Sequence, residues 1–149
     1  HGLIPGPVSP NKLNYLKSLN KLIQNYNLES QITFCGARKD IANIYKISTI
    51  VFNLSSKPEP FGRTIIEAAA CGTRVMGWNR GGVGESINAI NPTGLIPFGD
   101  EKALIERIPV LIKENCSQSI PEKFTKKYQA SQTIALYERA FKAYRSIKN

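Results

Sequence analysis

The chain has 149 residues, 42% of them apolar and 21% charged, which is typical of one globular domain and excludes a disordered or fibrous segment. Its apolar runs are shorter than the roughly 20 residues that a membrane-spanning helix needs. The net charge of +9 comes from 20 Lys and Arg against 11 Asp and Glu, which are spread along the chain. Because no recognised motif accompanies this charge, we expect a basic surface and no nucleic-acid partner.

The cysteine and histidine content excludes further classes of site. Cys35, Cys71 and Cys116 have irregular spacings that predict neither a disulfide framework nor a zinc site, and we expect Cys35 and Cys71 to be small buried residues. The one histidine is His1, which excludes His-based triads and His metal clusters. Residues 1–10 lack the features of a signal peptide and look like a cut chain end or a tag, so we expect a cytoplasmic protein or one whose true start is missing.

Short apolar runs alternate with amphipathic stretches, which is typical of an α/β domain with a parallel sheet flanked by helices. We predict a single domain over residues 1–149, with one or two strands of a full Rossmann-like sheet missing before residue 1. The predicted elements, in chain order, are a helix behind Pro10, strand Ile32–Gly36, helix Ile41–Lys46 capped by Asp40, strand Thr49–Leu54, helix Gly62–Cys71, strand Arg74–Trp78, a helix opening at Gly81, strand Gly94–Pro97, a helix capped by Asp100, and helix Ser131–Lys148.

Two of these helices carry more specific expectations. In the helix behind Asp100, one apolar side is formed by Leu104, Ile108 and Leu111, and Pro109 is expected to bend or break the helix. The aromatic side of the last helix is expected to be core.

The segment after the second predicted strand has the features of an anion site. Gly62 lets the backbone approach a ligand, and the helix that follows points its first amides and its dipole at negative charge. Arg63 and the Thr64 hydroxyl could reinforce this site. No Walker loop and no GxGxxG is present anywhere in the chain.

Two carboxylates flank this anion site. Glu59 precedes it, and Glu67 lies about 7 Å along the helix from Gly62 at roughly 1.5 Å per residue. Carboxylates repel phosphate but accept hydrogen bonds from hydroxyls. A ligand with hydroxyls at both ends and a diphosphate between them is a nucleotide sugar, and this spacing is suggestive of one.

The stretch E-P-F-G-R-T-I-I-E-A-A-A-C-G-T-R-V, followed by N-R-G-G-V-G-E and T-G-L-I-P, resembles a known family. It is similar to the retaining glycosyltransferases of family 4, the "glycosyl transferases group 1" proteins of GT-B fold, in their C-terminal donor-binding domain. The resemblance runs from about Pro10 to the C-terminus. It implies sugar transfer from a UDP-, GDP- or ADP-sugar with retention of anomeric configuration, and neither a metal nor a cofactor.

The resemblance also implies roles for individual residues. Glu59 would be the catalytic contact to the donor sugar, and Glu67 would accept from the ribose hydroxyls. The donor sugar and phosphate would be held by Pro60, Phe61, Gly62, Arg63 and Thr64. The base would be bordered by Gly36, Ala37 and Arg38. The basic residues with which the family neutralises the diphosphate have no match here, and its N-terminal acceptor domain is absent, so the chain alone is expected to be inactive.

Several alternatives stay open. In the resembling family the last helix crosses to the other domain, so some of its apolar surface could be exposed here. Glu67 could pair with Arg63 four positions earlier, and Gly81–Gly82 could form a turn that needs no ligand. Arg74 stands where the family usually has proline, and Gly84 where proline or alanine is common. The chain could also be a non-catalytic nucleotide-sugar-binding module, or a basic polyanion-binding domain that uses neither glutamate. Peripheral association with the cytoplasmic face of a membrane is compatible with the charge.

Overall fold

The computed structural model describes residues 1–114 and 120–148, so Cys116 lies outside the described residues. The chain forms two compact units, His1–Ile44 and Tyr45–Asn149. The first unit contains β1 (Gly2–Pro5), α1 (Leu13–Asn25), β2 (Ile32–Gly36) and the start of α2 (Ile41–Ile47). The second contains β3 (Ile50–Asn53), α3 (Arg63–Ala70), β4 (Arg74–Trp78), α4 (Gly81–Ile90), β5 (Leu95–Ile96), α5 (Glu101–Lys113) and α6 (Lys126–Lys148).

Every described strand pairing is parallel. In the first unit β1 pairs with β2. In the second unit the strand order is β3-β4-β5, and β4 is the buried central strand. The prediction of an α/β fold with parallel sheets flanked by helices is therefore confirmed.

Strand β1 corrects the expectation for the N-terminal residues. The pattern predicts no strand before Pro10, yet Gly2–Pro5 lies parallel to Ile32–Gly36, and its ends are tied by bonds from Gly2 N to Gln31 O (2.7 Å) and from Gly6 N to Gly36 O (2.8 Å). Only two strongly apolar residues stand between the flanking glycine and proline, too few to be recognised as a strand. The pairing comes from backbone groups, which the side-chain pattern does not reveal.

The core of the second unit lies on both sides of β4. Met76, Trp78, Ile96 and Leu111 form one buried cluster, and Leu104 and Ile108 of α5 pack against it. The predicted apolar side of α5 is therefore confirmed. Ile65, Val75 and Ile87 are fully buried as well, so the sheet fixes the positions of both α3 and α4.

Helix α5 continues through Pro109, which excludes the break that was one of the two outcomes expected there. It runs from Glu101 to Lys113 through the proline, and Asp100 caps it as predicted, with Oδ1 accepting from Ala103 N at 2.9 Å. Proline removes the donor for the carbonyl of Ile105, four residues earlier. Because Ile105 is exposed, water can bond that carbonyl, while the buried Leu111 holds the helix beyond the proline.

Helix α6 exposes the aromatic side that was expected to be core. Tyr137 is 72% exposed and Phe141 is 61% exposed. Periodicity shows which residues share a face, but burial also needs an element that covers that face. Cys35 and Cys71 are likewise half-buried rather than buried. Over residues 1–114 and 120–148, no helix combines the length and the apolar character needed to cross a bilayer.

Candidate functional site

The candidate site lies at the carboxyl end of β3, where residues 54–62 connect the strand to α3. Parallel strands bring their carboxyl ends to one edge of a sheet, and helices begin there with their N-termini facing that edge. Asn53 is the last residue of β3, and Arg63 is the first of α3. All the site residues predicted between Glu59 and Glu67 belong to this connection or to the first turns of α3.

The N-terminus of α3 has donors but no side-chain cap. Gly62 is the N-cap residue, and because glycine has no side chain it cannot cap the first amides of the helix. Ile65 N bonds to Gly62 O at 3.1 Å, which leaves the amides of Arg63 and Thr64 as first-turn donors. Open amides and the helix dipole together favour an anion at this point.

Two separate constraints require glycine at position 62. Its φ is +70°, a left-handed conformation that side chains with a Cβ rarely adopt. A Cβ there would also lie 2.9 Å from Val83 Cα of α4. The turn into α3 therefore packs directly on the backbone of α4.

The Glu59 carboxylate is held by two donors. Asn53 Nδ2 donates to Glu59 Oε1 at 3.0 Å, and Ser55 Oγ donates to the same oxygen at 2.8 Å. Asn53 also donates to Thr64 Oγ1 at 2.9 Å, so one buried amide links the carboxylate to the first turn of α3. Sequence reasoning missed Asn53 and Ser55, although a polar residue at the end of an apolar strand is a signal that could have identified Asn53.

Gly81 and Gly82, at the start of α4, lie against the backbone of the segment that carries Glu59. Gly82 N donates to Glu59 O at 2.8 Å, and a Cβ on Gly82 would lie 2.5 Å from Phe61 Cα. A Cβ on Gly81 would lie 2.7 Å from Glu59 O. Both glycines are therefore required by the close packing of α4 on residues 54–62 (the Glu59 loop), and that packing needs no ligand.

Arg80 and Ser86 fasten the same loop from its two ends. Arg80 Nη1 donates to Ser56 O at 2.6 Å, and its guanidinium lies 4.2 Å from the centroid of the Phe98 ring. Ser86 Oγ donates to Phe61 O at 3.0 Å. The Glu59 loop is thus bonded along most of its length.

Glu67 forms the ion pair that was left open as an alternative. Arg63 Nη2 lies 3.1 Å from Glu67 Oε1, with 79% of the arginine and 43% of the glutamate side chain exposed. Burial raises the pKa of the Tyr45 hydroxyl, and the negative charge of Glu67 raises it further. Glu67 therefore faces both a cation and a buried hydroxyl, and its exposure leaves it accessible to ligand hydroxyls.

A groove of about 930 Å³ lies beside the start of α3. Phe61, Arg63 and Glu67 form one wall. Lys123, in the turn before α6, and Lys126, the first residue of α6, also line the groove. The sequence analysis did not single out these two lysines. They add positive charge beside the open helix N-terminus.

Gly36, Ala37 and Arg38 belong to the first unit and follow its strand β2. Arg38 forms a two-point ion pair with Asp40, with Nε to Oδ1 at 2.8 Å and Nη2 to Oδ2 at 2.7 Å. This pair lowers the pKa of the Asp40 carboxyl, chiefly through the hydrogen bond from Arg38. Gly36 also borders a largely apolar cavity of about 440 Å³ within this unit.

The fold and site together define an α/β protein in which an uncapped helix N-terminus lies between two carboxylates. The chain belongs to the "Glycosyl transferases group 1" family, whose model matches residues 3–130. The resemblance to this family is therefore confirmed, and the α/β fold is a partial Rossmann-like domain that matches GT-B glycosyltransferases.

Individual relatives agree with this family. The chain is 26% identical over 123 residues to N-acetyl-alpha-D-glucosaminyl L-malate synthase of Bacillus anthracis, and the match covers 79% of the chain and 32% of that protein. It is 30% identical over 112 residues to sucrose-phosphate synthase of Spinacia oleracea, covering 72% of the chain and 11% of that protein. The chain thus spans a third or less of the length of these relatives.

Solved structures give the same result. Sucrose-phosphate synthase from Thermosynechococcus elongatus is similar at a TM-score of 0.75 and 30% identity, over 95% of this chain and 38% of that one. HepE of Anabaena, in complex with UDP and glucose, is similar at a TM-score of 0.69 and 31% identity, over 75% of this chain and 30% of that one.

Proposed function

We propose that the chain is the donor-binding domain of a glycosyltransferase that transfers a sugar from a nucleotide-sugar donor with retention of anomeric configuration. The observation that carries the proposal is the placing of Glu59 and Glu67 on either side of the uncapped N-terminus of α3. The structure of HepE with UDP-glucose supports the donor class, because that relative is 31% identical over 74% of this chain.

In this proposal the diphosphate lies at the start of α3. The amides of Arg63 and Thr64 donate to phosphate oxygens, and Pro60, Phe61 and Gly62 set the course of the backbone around them. Lys123 and Lys126 are close enough to the same groove to offset part of the phosphate charge. Charge-assisted bonds of this kind are roughly twice as strong as neutral ones.

The two carboxylates then bind hydroxyls at opposite ends of the donor. Glu59 contacts the transferred sugar near the reacting carbon, and Glu67 accepts from the ribose hydroxyls. Gly36, Ala37 and Arg38 border the base, which would be uracil, guanine or adenine. No metal or other cofactor takes part, because backbone amides and cationic side chains supply the positive charge.

We further propose that transfer requires an acceptor-binding domain beyond this chain. The chain spans 32% of the Bacillus anthracis relative and 38% of the Thermosynechococcus one, so most of each lies outside the match. The donor domain alone would bind nucleotide sugars without transferring them.

Isothermal titration of UDP, GDP, ADP and their sugar conjugates into the chain tests donor binding and identifies the base. Binding of one nucleotide family in the micromolar to millimolar range supports the proposal. The absence of binding by all three families would contradict it. Retention is tested by NMR on the product of this chain joined to an acceptor-binding domain, because a retaining enzyme releases product with the anomeric configuration of the donor.

A non-catalytic nucleotide-sugar-binding module is the alternative function, because the same contacts would serve binding alone. Joining the chain to the acceptor domain of a relative distinguishes the two. Sugar transfer by the joined protein supports the enzyme, whereas donor binding without transfer supports the module.

Peripheral membrane association stays a proposal that rests on charge and on α6. Residues 126–148 contain Lys126, Lys127, Arg139, Lys142, Arg145 and Lys148 against the single acidic residue Glu138. An exposed aromatic face beside these cations favours an anionic surface. Sedimentation with anionic vesicles, but not with neutral ones, is the expected result. Equal sedimentation with both would contradict it.

A further inference from the structure

Asn53 occupies a position in the site to which neither the motif nor the family resemblance assigns a role. It ends β3, is 7% exposed, and uses both ends of its side-chain amide. Its Nδ2 donates to Glu59 Oε1 at 3.0 Å and to Thr64 Oγ1 at 2.9 Å, and its Oδ1 accepts from Ser55 N at 3.3 Å.

The chemistry of the partners fixes the direction of these bonds. A carboxylate oxygen only accepts, and a backbone N–H only donates, so the amide nitrogen must face Glu59 and the amide oxygen must face Ser55. Because the amide nitrogen has no acceptor capacity, Thr64 Oγ1 must accept from it. The proton of the Thr64 hydroxyl is therefore directed away from Asn53 and can be donated to another group.

The two oxygens of Glu59 are consequently not equivalent. Oε1 accepts from both Asn53 and Ser55, at 3.0 and 2.8 Å. Within the part of the chain that the structure describes, no hydrogen bond to Oε2 is present. One oxygen thus anchors the carboxylate, and the other can accept from a ligand.

We propose that Asn53 is a positioning residue with two effects. It orients Glu59 Oε2 toward a hydroxyl of the transferred sugar, and it leaves the proton of the Thr64 hydroxyl available for a hydrogen bond to a phosphate of the nucleotide sugar. The inference rests on the proposed function of this site. A single buried amide thereby keeps the sugar contact and the phosphate contact in a fixed relation. Misplacement of such groups by about 1 Å can cost on the order of 100-fold in rate.

The first test replaces Asn53 with aspartate, which has nearly the same shape. In Asn53→Asp the new carboxylate repels Glu59 and accepts the Thr64 proton. The measured quantity is the ratio of affinities for nucleotide sugar and for the bare nucleoside diphosphate. We expect this ratio to fall roughly tenfold, as for loss of a hydrogen bond to a charged group.

Asn91→Asp is the matched control, because Asn91 Nδ2 also donates to a glutamate, Glu114 Oε2, at 3.3 Å. It makes the same chemical change away from Glu59 and should leave the ratio unchanged. An Asn53→Asp variant that melts like the wild type and keeps the full ratio would overturn the proposal. A wild type that binds no nucleotide would instead contradict the proposed function.

A double-mutant cycle separates positioning from a purely structural role. Asn53→Ala should lower the ratio in the wild-type background and have no further effect once Glu59→Ala is present. Equal effects in both backgrounds would show that Asn53 acts only on the fold. If Asn53→Ala does not fold, Ser55→Ala replaces it in the cycle, because Ser55 is exposed and bonds the same oxygen.

The bonds themselves can be tested without any ligand. In NMR spectra of the chain, Glu59→Gln should shift one of the two Asn53 side-chain amide protons, and Thr64→Val should shift the other. The Asn91 amide protons should not move in either variant. Unchanged Asn53 resonances in both variants would overturn the proposal, whatever the outcome of the binding experiments.

Discussion

The guanidinium of Arg63 lies 3.1 Å from the carboxylate of Glu67, one helical turn away on α3. The residue proposed to bind phosphate and the residue proposed to bind ribose are therefore joined by an ion pair. Because Arg63 is largely exposed and Glu67 is about half exposed, this pair contributes little to stability, on the order of 0–1 kcal/mol. Its members can exchange partners with a donor at little cost.

Glu67→Ala is accordingly predicted to separate binding from stability. Loss of the ribose contacts should weaken nucleotide binding roughly tenfold, as for hydrogen bonds to a charged group. The free energy of unfolding should change by less than about 1 kcal/mol. Titration calorimetry and denaturant unfolding measure the two quantities.

Glu106→Ala is the control for this variant, since Glu106 forms an exposed pair with Lys102 at the same i,i+4 spacing. It should leave both quantities nearly unchanged. If Glu67→Ala binds nucleotides as the wild type does, the proposed ribose contact of Glu67 is wrong.

Gly82→Ala is predicted to damage the site through the backbone. The added Cβ would lie 2.5 Å from both Phe61 Cα and Pro60 O, which are backbone atoms that cannot rotate away. Overpacking of this kind costs typically 1–3 kcal/mol. Nucleotide-sugar affinity should fall together with the unfolding free energy, because the Glu59 loop must move.

Gly2→Ala, whose Cβ would meet its neighbours at 3.7 Å, is the control. A Gly82→Ala protein with unaltered affinity would show that the loop has another place to lie.

Stability is predicted to fall at alkaline pH because of Tyr45. Burial raises the pKa of its hydroxyl above the ordinary 10.0, and Glu67 raises it further. The unfolded chain therefore releases this proton at a lower pH than the folded chain, so stability present below pH 10 is lost as the pH rises through the folded pKa. Denaturant unfolding from pH 8 to pH 12 measures the slope. Tyr45→Phe should remove part of it, and an identical slope in that variant would contradict the prediction.

Leu111→Ala is predicted to destabilise the second unit strongly. Leu111 is fully buried against Met76, Trp78 and Ile96, so truncation leaves a cavity in the core. The expected loss is about 2–5 kcal/mol in thermal or chemical unfolding. Ile112→Ala, at the next residue and 44% exposed, should cost far less. Similar losses for the two variants would mean that α5 does not hold its place through Leu111.

Most of the fold was predictable because its apolar patterns are long enough to recognise. Strand Arg74–Trp78 and the apolar side of α5 lie where the pattern predicts them. Strand Gly2–Pro5 was missed because backbone pairing, and not side-chain alternation, defines it. Pro109 does not end α5, which was one of the two outcomes expected for it, because the buried Leu111 holds the helix beyond the proline.

The only site residues that could be predicted from the sequence are those that belong to a motif of contiguous residues. Glu59, Gly62 and Glu67 are recognisable from their spacing, whereas Asn53 is defined by hydrogen bonds to residues six and eleven positions later. The roles of Gly81 and Gly82 depend on how closely α4 approaches the Glu59 loop. The distance between α4 and this loop cannot be predicted from a local sequence pattern.

The contact between α4 and the Glu59 loop also limits how donor specificity can be transplanted. If residues 54–61 are exchanged for those of a relative, the new loop must still fit against Gly81 and Gly82, because both glycines contact the backbone of this loop closely. The loop and the first turn of α4 should therefore be exchanged as one unit in a chimaera, although helix α3 and strand β4 separate them in the chain. Exchanges that move both segments together should keep the recipient folded, and those that divide them should not.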